Sequence, residues 1–244
     1  VLEGGHGPGV PDELVLNRDF RGRVSGLVYY GAQLVLAADD EQSIDAFAVE
    51  TRKHRTLRSF VGPKVVVDKL WERVRGWYTV PAMVREAQPL YALTPGAQRN
   101  DLPDVEVRLA RVEEADLVAE HSAQMILGEL GYDPRANRAS FTASVRRAIA
   151  RESWWVWIVG GELRFQCNVG PHTAATAQIQ GVWTPPDQRG HGYAALALAA
   201  IARRLLRTQA TLSLYVNDFN TPAIAVYERV GFTRVGTLAT YLFP

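Results

Sequence analysis

The segment Val182 to Ala194 (VWTPPDQRGHGYA) constrains this chain more than any other. A β-branched and aromatic run ends in Thr-Pro-Pro, and a polar turn then carries Arg189. Glycines at 190 and 192 open an alanine-rich helix predicted from Gly192 to Arg207. A strand that runs through a glycine turn into a helix belongs to a layered α/β architecture. Its side chains switch from period 2 to period 3.6, and a sheet covered by helices buries both patterns. The turn also has a chemical consequence. Unpaired N–H groups and the dipole at a helix start favour an anion, the glycines let the backbone approach it, and Arg189 adds a fixed cation. Physics alone reads Arg189 to Ala194 as a phosphate or pyrophosphate site. The bland alternative is a glycine turn capping a core helix, and two glycines do not decide between them.

Elsewhere the 244 residues alternate strand and helix signals, and a stretch at 94–104 (TPGAQRNDLPD) collects the residues of turns and linkers. This places a boundary between 1–103 and 104–244. In the first part, the Gly- and Pro-rich residues 1–12 read as a mobile end. Val24 to Ala37 reads as a strand pair, Asp39 to His54 as a helix and Thr56 to Val61 as a strand. A helix opened by Gly62-Pro63 and a strand from Val84 to Leu93 complete a small βαβ-type layer. In the second part, a strand at Val105 to Ala110 precedes helices from Glu113 to Leu130 and around Phe141, Val145, Ala148 and Ile149. Three strands follow, the first two joined by Gly160-Gly161 and the third running from Ala175 to Thr184. After the helix at 192–207 come a strand at Thr211 to Val216, a helix from Pro222 to Arg229 and a closing strand at Thr233 to Phe243.

Two motifs in order carry a family resemblance. Arg189-x-x-Gly192-x-Ala194 is similar to the cofactor signature of the GNAT superfamily of N-acetyltransferases. Asn220-x-x-Ala223-x-x-Val226-Tyr227-Glu228-Arg229-x-Gly231-Phe232 resembles the same family's tyrosine element. The resemblance covers roughly residues 105–244, and GVWTPPDQRGHGYA is most similar to the glycine-N-acyltransferase-like branch. It implies a mixed, mostly antiparallel central sheet flanked by helices. It further implies that backbone groups of Val182 and Thr184 pair with the pantetheine arm of acetyl-CoA. Pro185 falls on the alternate side of the strand. Amides of Arg189, Gly190, His191, Gly192, Tyr193 and Ala194 would hold the pyrophosphate, and Asn220 would touch the pantetheine or the region near the thioester. Tyr227 matches the general acid that protonates the departing thiolate, against the alternative of a core tyrosine. Ser59-Phe-Val-Gly-Pro-Lys64, Val67-Asp-Lys-Leu-Trp71 and Val84-Arg-Glu-Ala-Gln-Pro-Leu90 resemble an uncharacterised domain fused to actinobacterial GNAT domains. Residues 1–103 are therefore expected to be a degenerate GNAT-like half without acetyl-CoA that packs on the transferase and walls the acceptor site.

The implied activity is acyl transfer from acetyl-CoA to a primary amine of a small molecule, amino acid or protein, by direct attack. The alternative is a non-catalytic CoA-sensing module, and less favoured still is an interaction scaffold. No general base is identified. Gln178 and Gln180 on the central strand cannot titrate, and Glu120, His121, Glu129 and His172 are candidates by type alone. Trp154, Trp155 and Trp157 read as core more readily than as an acceptor pocket, with Trp154 on the face opposite the other two. Cys167, the single cysteine, reads as buried filler and points to a reducing compartment. No Cys/His cluster has zinc spacing, so no metal is expected. The two parts carry 13 basic against 13 acidic and 14 against 13 side chains. That balance argues against nucleic-acid and membrane partners and leaves a homodimer open. With no apolar run long enough to span a bilayer and no signal segment, the expected location is the cytoplasm. The start at Val1 rather than Met leaves room for an upstream piece.

Overall fold

A computed structural model describes residues 13–31, 33–54, 57–99 and 101–244; the end expected at 1–12 lies outside the described residues. In chain order the elements are β1 (Glu13–Arg18), β2 (Val24–Tyr30), β3 (Leu34–Ala38), α1 (Glu41–Thr51), β4 (Ser59–Pro63), α2 (Lys64–Val74) and β5 (Met83–Leu93). These are followed by β6 (Arg108–Leu109), α3 (Ala115–Leu130), α4 (Arg138–Ala150), β7 (Trp154–Val159), β8 (Glu162–His172) and β9 (Thr176–Trp183). The last four are α5 (Tyr193–Leu205), β10 (Thr211–Tyr215), α6 (Thr221–Val230) and β11 (Thr233–Leu242). Two compact units share them. Of the described residues, those within Leu2–Leu90, Tyr215–Phe219 and Val235–Pro244 form unit I, and those within Tyr91–Leu214 and Asn220–Arg234 form unit II.

Unit I is built on strands in the order β1-β2-β3-β4-β11-β5. The βαβ layer is present: β3 pairs parallel with β4 (Leu34 to Phe60, Val35 to Val61), and α1 makes the crossover. The last strand of the chain returns to this unit, where β11 runs antiparallel to β4 from Leu238 opposite Pro63 to Leu242 opposite Ser59. Asp40 caps α1 by accepting the Ser43 N–H at 2.7 Å, which starts the helix after the expected Asp39. Val28, Tyr30, Leu36, Phe47, Phe60, Val67 and Leu70 form the core between sheet and helices. Strand β1 was not anticipated. Leu14 and Leu16 stay exposed while Val15 packs on the core, so apolar residues occur on both faces and blur the alternation.

Unit II follows the order β10-β9-β8-β7-β6. Trp154, Val156 and Leu163 bury against Val118 and Ala119 of α3 and Val145 and Ile149 of α4. Trp157, on the opposite face of β7, meets Tyr193 of α5 edge-on at 5.2 Å, so helices cover both faces of this sheet. The strand expected at Val105 to Ala110 is only Arg108–Leu109. There the Val107 N–H turns back onto the Val105 carbonyl at 2.8 Å and is lost to any ladder. His172 sits at the end of β8, not in a loop, and is exposed as expected. The fold class is the one the sequence implies: a mixed, mostly antiparallel sheet architecture flanked by helices.

Candidate active site

Parallel pairing of β9 and β10 is confined to three positions: Thr211 with Thr176, Leu212 with Ala177 and Ser213 with Gln178. Beyond Gln178, β9 continues to Trp183 with pairs only on its β8 side: Ile179 to Val169, Gln180 to Asn168 and Trp183 to Gln166. The β10-facing edge of the last turns of β9 therefore carries backbone donors and acceptors without a strand partner. Within this stretch β9 has one residue more than β8 between two successive pairs. Gly181 takes up the difference at φ 58°, a left-handed bulge that re-aims the strand end.

After β9, Thr184 and Pro185 lead into a single 3-10 turn at Pro186–Gln188. Gly190 and Gly192 both adopt left-handed backbone, at φ 81° and 78°. A Cβ at either would meet no protein atom within 4 Å, so the space beside each glycine is open. No side chain caps α5. Its first bond runs from the Leu196 N–H to the Gly192 carbonyl at 3.2 Å, which leaves the amides of Tyr193, Ala194 and Ala195 without acceptors inside the helix. Arg189 lies over the Trp183 ring at 4.8 Å and donates its Nε–H to the Thr184 carbonyl at 3.1 Å, so its cation is held at the end of β9 in the turn that leads to α5. His191 stacks on Tyr193 at 5.2 Å. Arg164 sits over the same ring at 5.7 Å and bonds Gln188 of the turn. Trp183 Nε1 and Thr184 Oγ1 are buried without a hydrogen-bond partner at the strand end. Amides at an uncapped helix start, a fixed cation, an open strand edge and orphaned polar atoms fit a ligand with phosphates at one end and amides along its length.

Asn220 is the N-cap of α6, its Oδ1 accepting the Ala223 N–H at 3.3 Å. Tyr227, one turn from the end of α6, is 5% exposed. Burial, reinforced by the Glu129 carboxylate, raises its pKa well above the ordinary tyrosine value. The phenol is therefore a proton donor across the physiological range. Val182 and Thr184 are half-buried at the open edge.

The candidate bases separate. Glu120 is committed to Arg135 at 2.7 Å. His172 is exposed. His121 is half-buried with Nδ1 unpartnered, and burial pushes its pKa down, toward a neutral imidazole. Glu129 is the one whose charge acts on Tyr227. Gln180 Nε2 donates to Gln178 Oε1, while Gln180 Oε1 is buried without a partner, and neither side chain on that face of β9 titrates. Cys167 is fully buried, and burial raises its thiol pKa. Among the described residues one cluster has metal-ligand spacing: Glu13, Glu50 and His54 place ligand atoms within 4.8 Å of one another. Glu50 there is already paired with Lys53 at 2.7 Å.

Comparison with known proteins gives two family matches. Residues 15–118 match the family described as a domain of unknown function, DUF4081, and residues 172–241 match the FR47-like protein family. A GNAT-family acetyltransferase of Colwellia psychrerythraea superposes with a TM-score of 0.60 at 13% identity, covering 93% of this chain and 84% of that one. The fold is that of the GNAT acetyltransferases. A tandem GNAT protein from the clavulanic acid biosynthesis pathway shares this GNAT fold with a TM-score of 0.54 at 14% identity, over 95% of this chain and 83% of its own. In sequence, an acetyltransferase of Agrobacterium fabrum (strain C58) is 35% identical over 68 residues, which are 28% of this chain and 49% of that protein. The chain thus spans about half the length of that curated relative.

The Arg189 to Ala194 turn and the Tyr227 helix lie where the sequence predicted them, and both belong to unit II. Three residues around them were missed, and Trp157 was weighed only as core or acceptor pocket. Gly181 had a readable signal, an isolated glycine inside a strand pattern. Arg164 and Tyr91 had none, since each acts through a contact distant in sequence.

Proposed function

We propose that the chain is an acyltransferase of the N-acetyltransferase kind, taking its acyl group from acetyl-CoA and passing it to a primary amine. The observation that carries the reading is the uncapped, glycine-opened start of α5 beside the unpaired edge of β9. In this reading the amides of Arg189 to Ala194 and the Arg189 cation hold the pyrophosphate. Backbone groups of Val182 and Thr184 pair with the pantetheine amides, and Asn220 stands near the thioester. When bound, acetyl-CoA supplies an activated thioester carbonyl. The residues of this chain orient it, receive the amine, and return a proton to the leaving sulfur from the Tyr227 hydroxyl. Of the candidate carboxylates, Glu129 is the one whose charge reaches Tyr227, and it is the residue to test as the base that takes the amine proton, directly or through water. Residues 1–103 are read as an accessory part that does not bind acetyl-CoA. The FR47-like match over 172–241 and the Agrobacterium acetyltransferase both support the activity.

A second reading has one observation behind it: the paired amides of Gln178 and Gln180 put no titratable group on the central strand. A CoA-binding module without turnover would look the same there. Calorimetric titration with acetyl-CoA, followed by a thiol-release assay over a panel of primary amines, separates the readings. Saturable binding near one equivalent, lost in Gly192→Trp, together with amine-dependent thiol release lost in Tyr227→Phe, is the expected result. Binding without release from any amine leaves the sensing module, and no binding at millimolar ligand removes both.

A further inference from the structure

We propose that Tyr91 is a positioning residue for Tyr227, and that the stretch from Tyr91 to Arg99 braces the helix end on which Tyr227 stands. The inference rests on the reading of Tyr227 as the proton donor. Tyr227 sits three residues before the end of α6, a helix of only ten residues. A short helix end frays unless tertiary contacts hold it, and a donor that must meet a departing sulfur tolerates little displacement.

Five contacts hold this end, all within unit II. The Tyr91 ring packs against the Tyr227 ring with centroids 6.2 Å apart and planes inclined at 59°. Phe232 meets the same ring at 6.3 Å, so two aromatic side chains pack on Tyr227. The Tyr91 hydroxyl donates to Glu228 Oε1 at 3.1 Å, which ties this packing to the residue next to Tyr227. Past a turn closed by the Ala97 N–H on the Thr94 carbonyl, the Arg99 N–H donates to the Val230 carbonyl at 3.3 Å. The Ala97 carbonyl lies so close to Gly231 that a Cβ there would come within 2.4 Å of it. The last turn of α6 and its C-cap are thus gripped by one upstream segment.

Packing alone would need only a phenylalanine at 91. A buried tyrosine, 3% exposed, whose hydroxyl reaches the carboxylate of the exposed Glu228 is an orienting contact as well as a filler. Burial, and then Glu228, raise the Tyr91 pKa, which keeps its hydroxyl a donor.

The test uses the full chain with 13C at Cζ of its tyrosines and needs no acceptor. The Tyr227 resonance is assigned by its loss in Tyr227→Phe and is followed from pH 7 to 11 in the parent, Tyr91→Phe, Tyr91→Leu and Glu228→Gln. Glu228 is exposed, so that variant keeps the fold even where Tyr91→Leu does not. The expected result is a single narrow, non-titrating line in the parent. Tyr91→Phe and Glu228→Gln should broaden or double it, and Tyr91→Leu should bring its titration down into the range followed. With an amine that supports turnover, Tyr91→Phe should lower kcat about tenfold and leave KM for acetyl-CoA within about twofold. A Tyr227 line unchanged in position and width in both Tyr91→Phe and Glu228→Gln overturns the proposal, even if Tyr91→Leu disturbs it, because Tyr91 is then packing alone. Acetyl-CoA titrated into the same samples keeps the two questions apart. Absent binding defeats the reading of the site, and intact binding with an unmoved line defeats this inference only.

Discussion

Gly192 joins backbone conformation to chemistry. Its left-handed φ of 78° costs an L-residue about 1–2 kcal/mol. Gly192→Ala is therefore expected to lower stability by about 1 kcal/mol in urea unfolding while weakening acetyl-CoA binding by more than that conformational cost. Equal losses in the two measurements would make the turn a cap and no ligand site. Tyr227 makes a different prediction. Removing only its hydroxyl leaves the buried ring, so Tyr227→Phe should lower kcat about 100-fold or more with little change in melting temperature. The sign of its pH dependence follows from burial. The folded phenol has its pKa raised above the ordinary value of 10.0, so its contribution to stability is complete below that value and is lost as pH rises beyond it, where only the unfolded chain ionises. Urea titrations above pH 10 should show a shallower stability loss for Tyr227→Phe than for the parent, and parallel curves would contradict the burial argument. These two residues were legible because each belongs to a motif of fixed local spacing. Tyr91 was not, because its contact with Tyr227 spans most of the chain and leaves no trace in either neighbourhood.

Among the elements, the start of α3 offers a test of local electrostatics. Both guanidinium Nη atoms of Arg108 bond the Glu114 carboxylate, at 2.8 and 2.5 Å, and the Arg111 N–H donates to it at 2.7 Å. Arg108 first, and then the Arg111 amide, hold the carboxyl below the usual range against burial. A depressed folded value means stability that is present above the unfolded carboxylate range and lost as pH falls through the folded value. Glu114→Gln should cost about 1 kcal/mol at pH 7 and less as the medium is acidified below about pH 4. A pH-independent difference would show that the hydrogen bonds, and not the charge, carry the effect. Elements with one clean signal were readable here. The Gly160-Gly161 turn gave the β7–β8 hairpin, and the apolar face of residues 138–150 gave α4. Less legible was β6, since nothing local in Val105 to Val107 announces the turn that withdraws them from the ladder. The bulge at Gly181 was visible as a glycine in a strand run, but its role in opening the edge of β9 depends on where β10 stops pairing.

For the whole molecule, the path of the chain matters more than its composition. A cut between 103 and 104 falls in a stretch of turn residues, and it separates partners that each unit needs. In unit I it would part β11 from β4 and β5, and it would break a buried chain of polar groups. In that chain Thr240 Oγ1 donates to Gln88 Oε1 at 2.6 Å, and Gln88 Nε2 donates to Asn217 Oδ1 at 3.1 Å. Each group left alone in such a network carries a desolvation penalty of about 1–3 kcal/mol. In unit II the cut would remove Tyr91 from Tyr227 and Arg99 from Val230. Several such losses together are comparable with the whole stability of a domain, about 5–15 kcal/mol. Residues 104–244 produced alone should therefore lack a cooperative melting transition and fail to bind acetyl-CoA. Supplying residues 1–103 as a separate chain in the same cell should restore both, because the strand pairs and the polar chain form without a peptide link at 103/104. If 104–244 alone melts cooperatively and binds acetyl-CoA with the affinity of the full chain, then neither the return of β11 nor the Tyr91 contact is needed for the site. The long-range pairings would in that case be additions to a domain already complete in its second half.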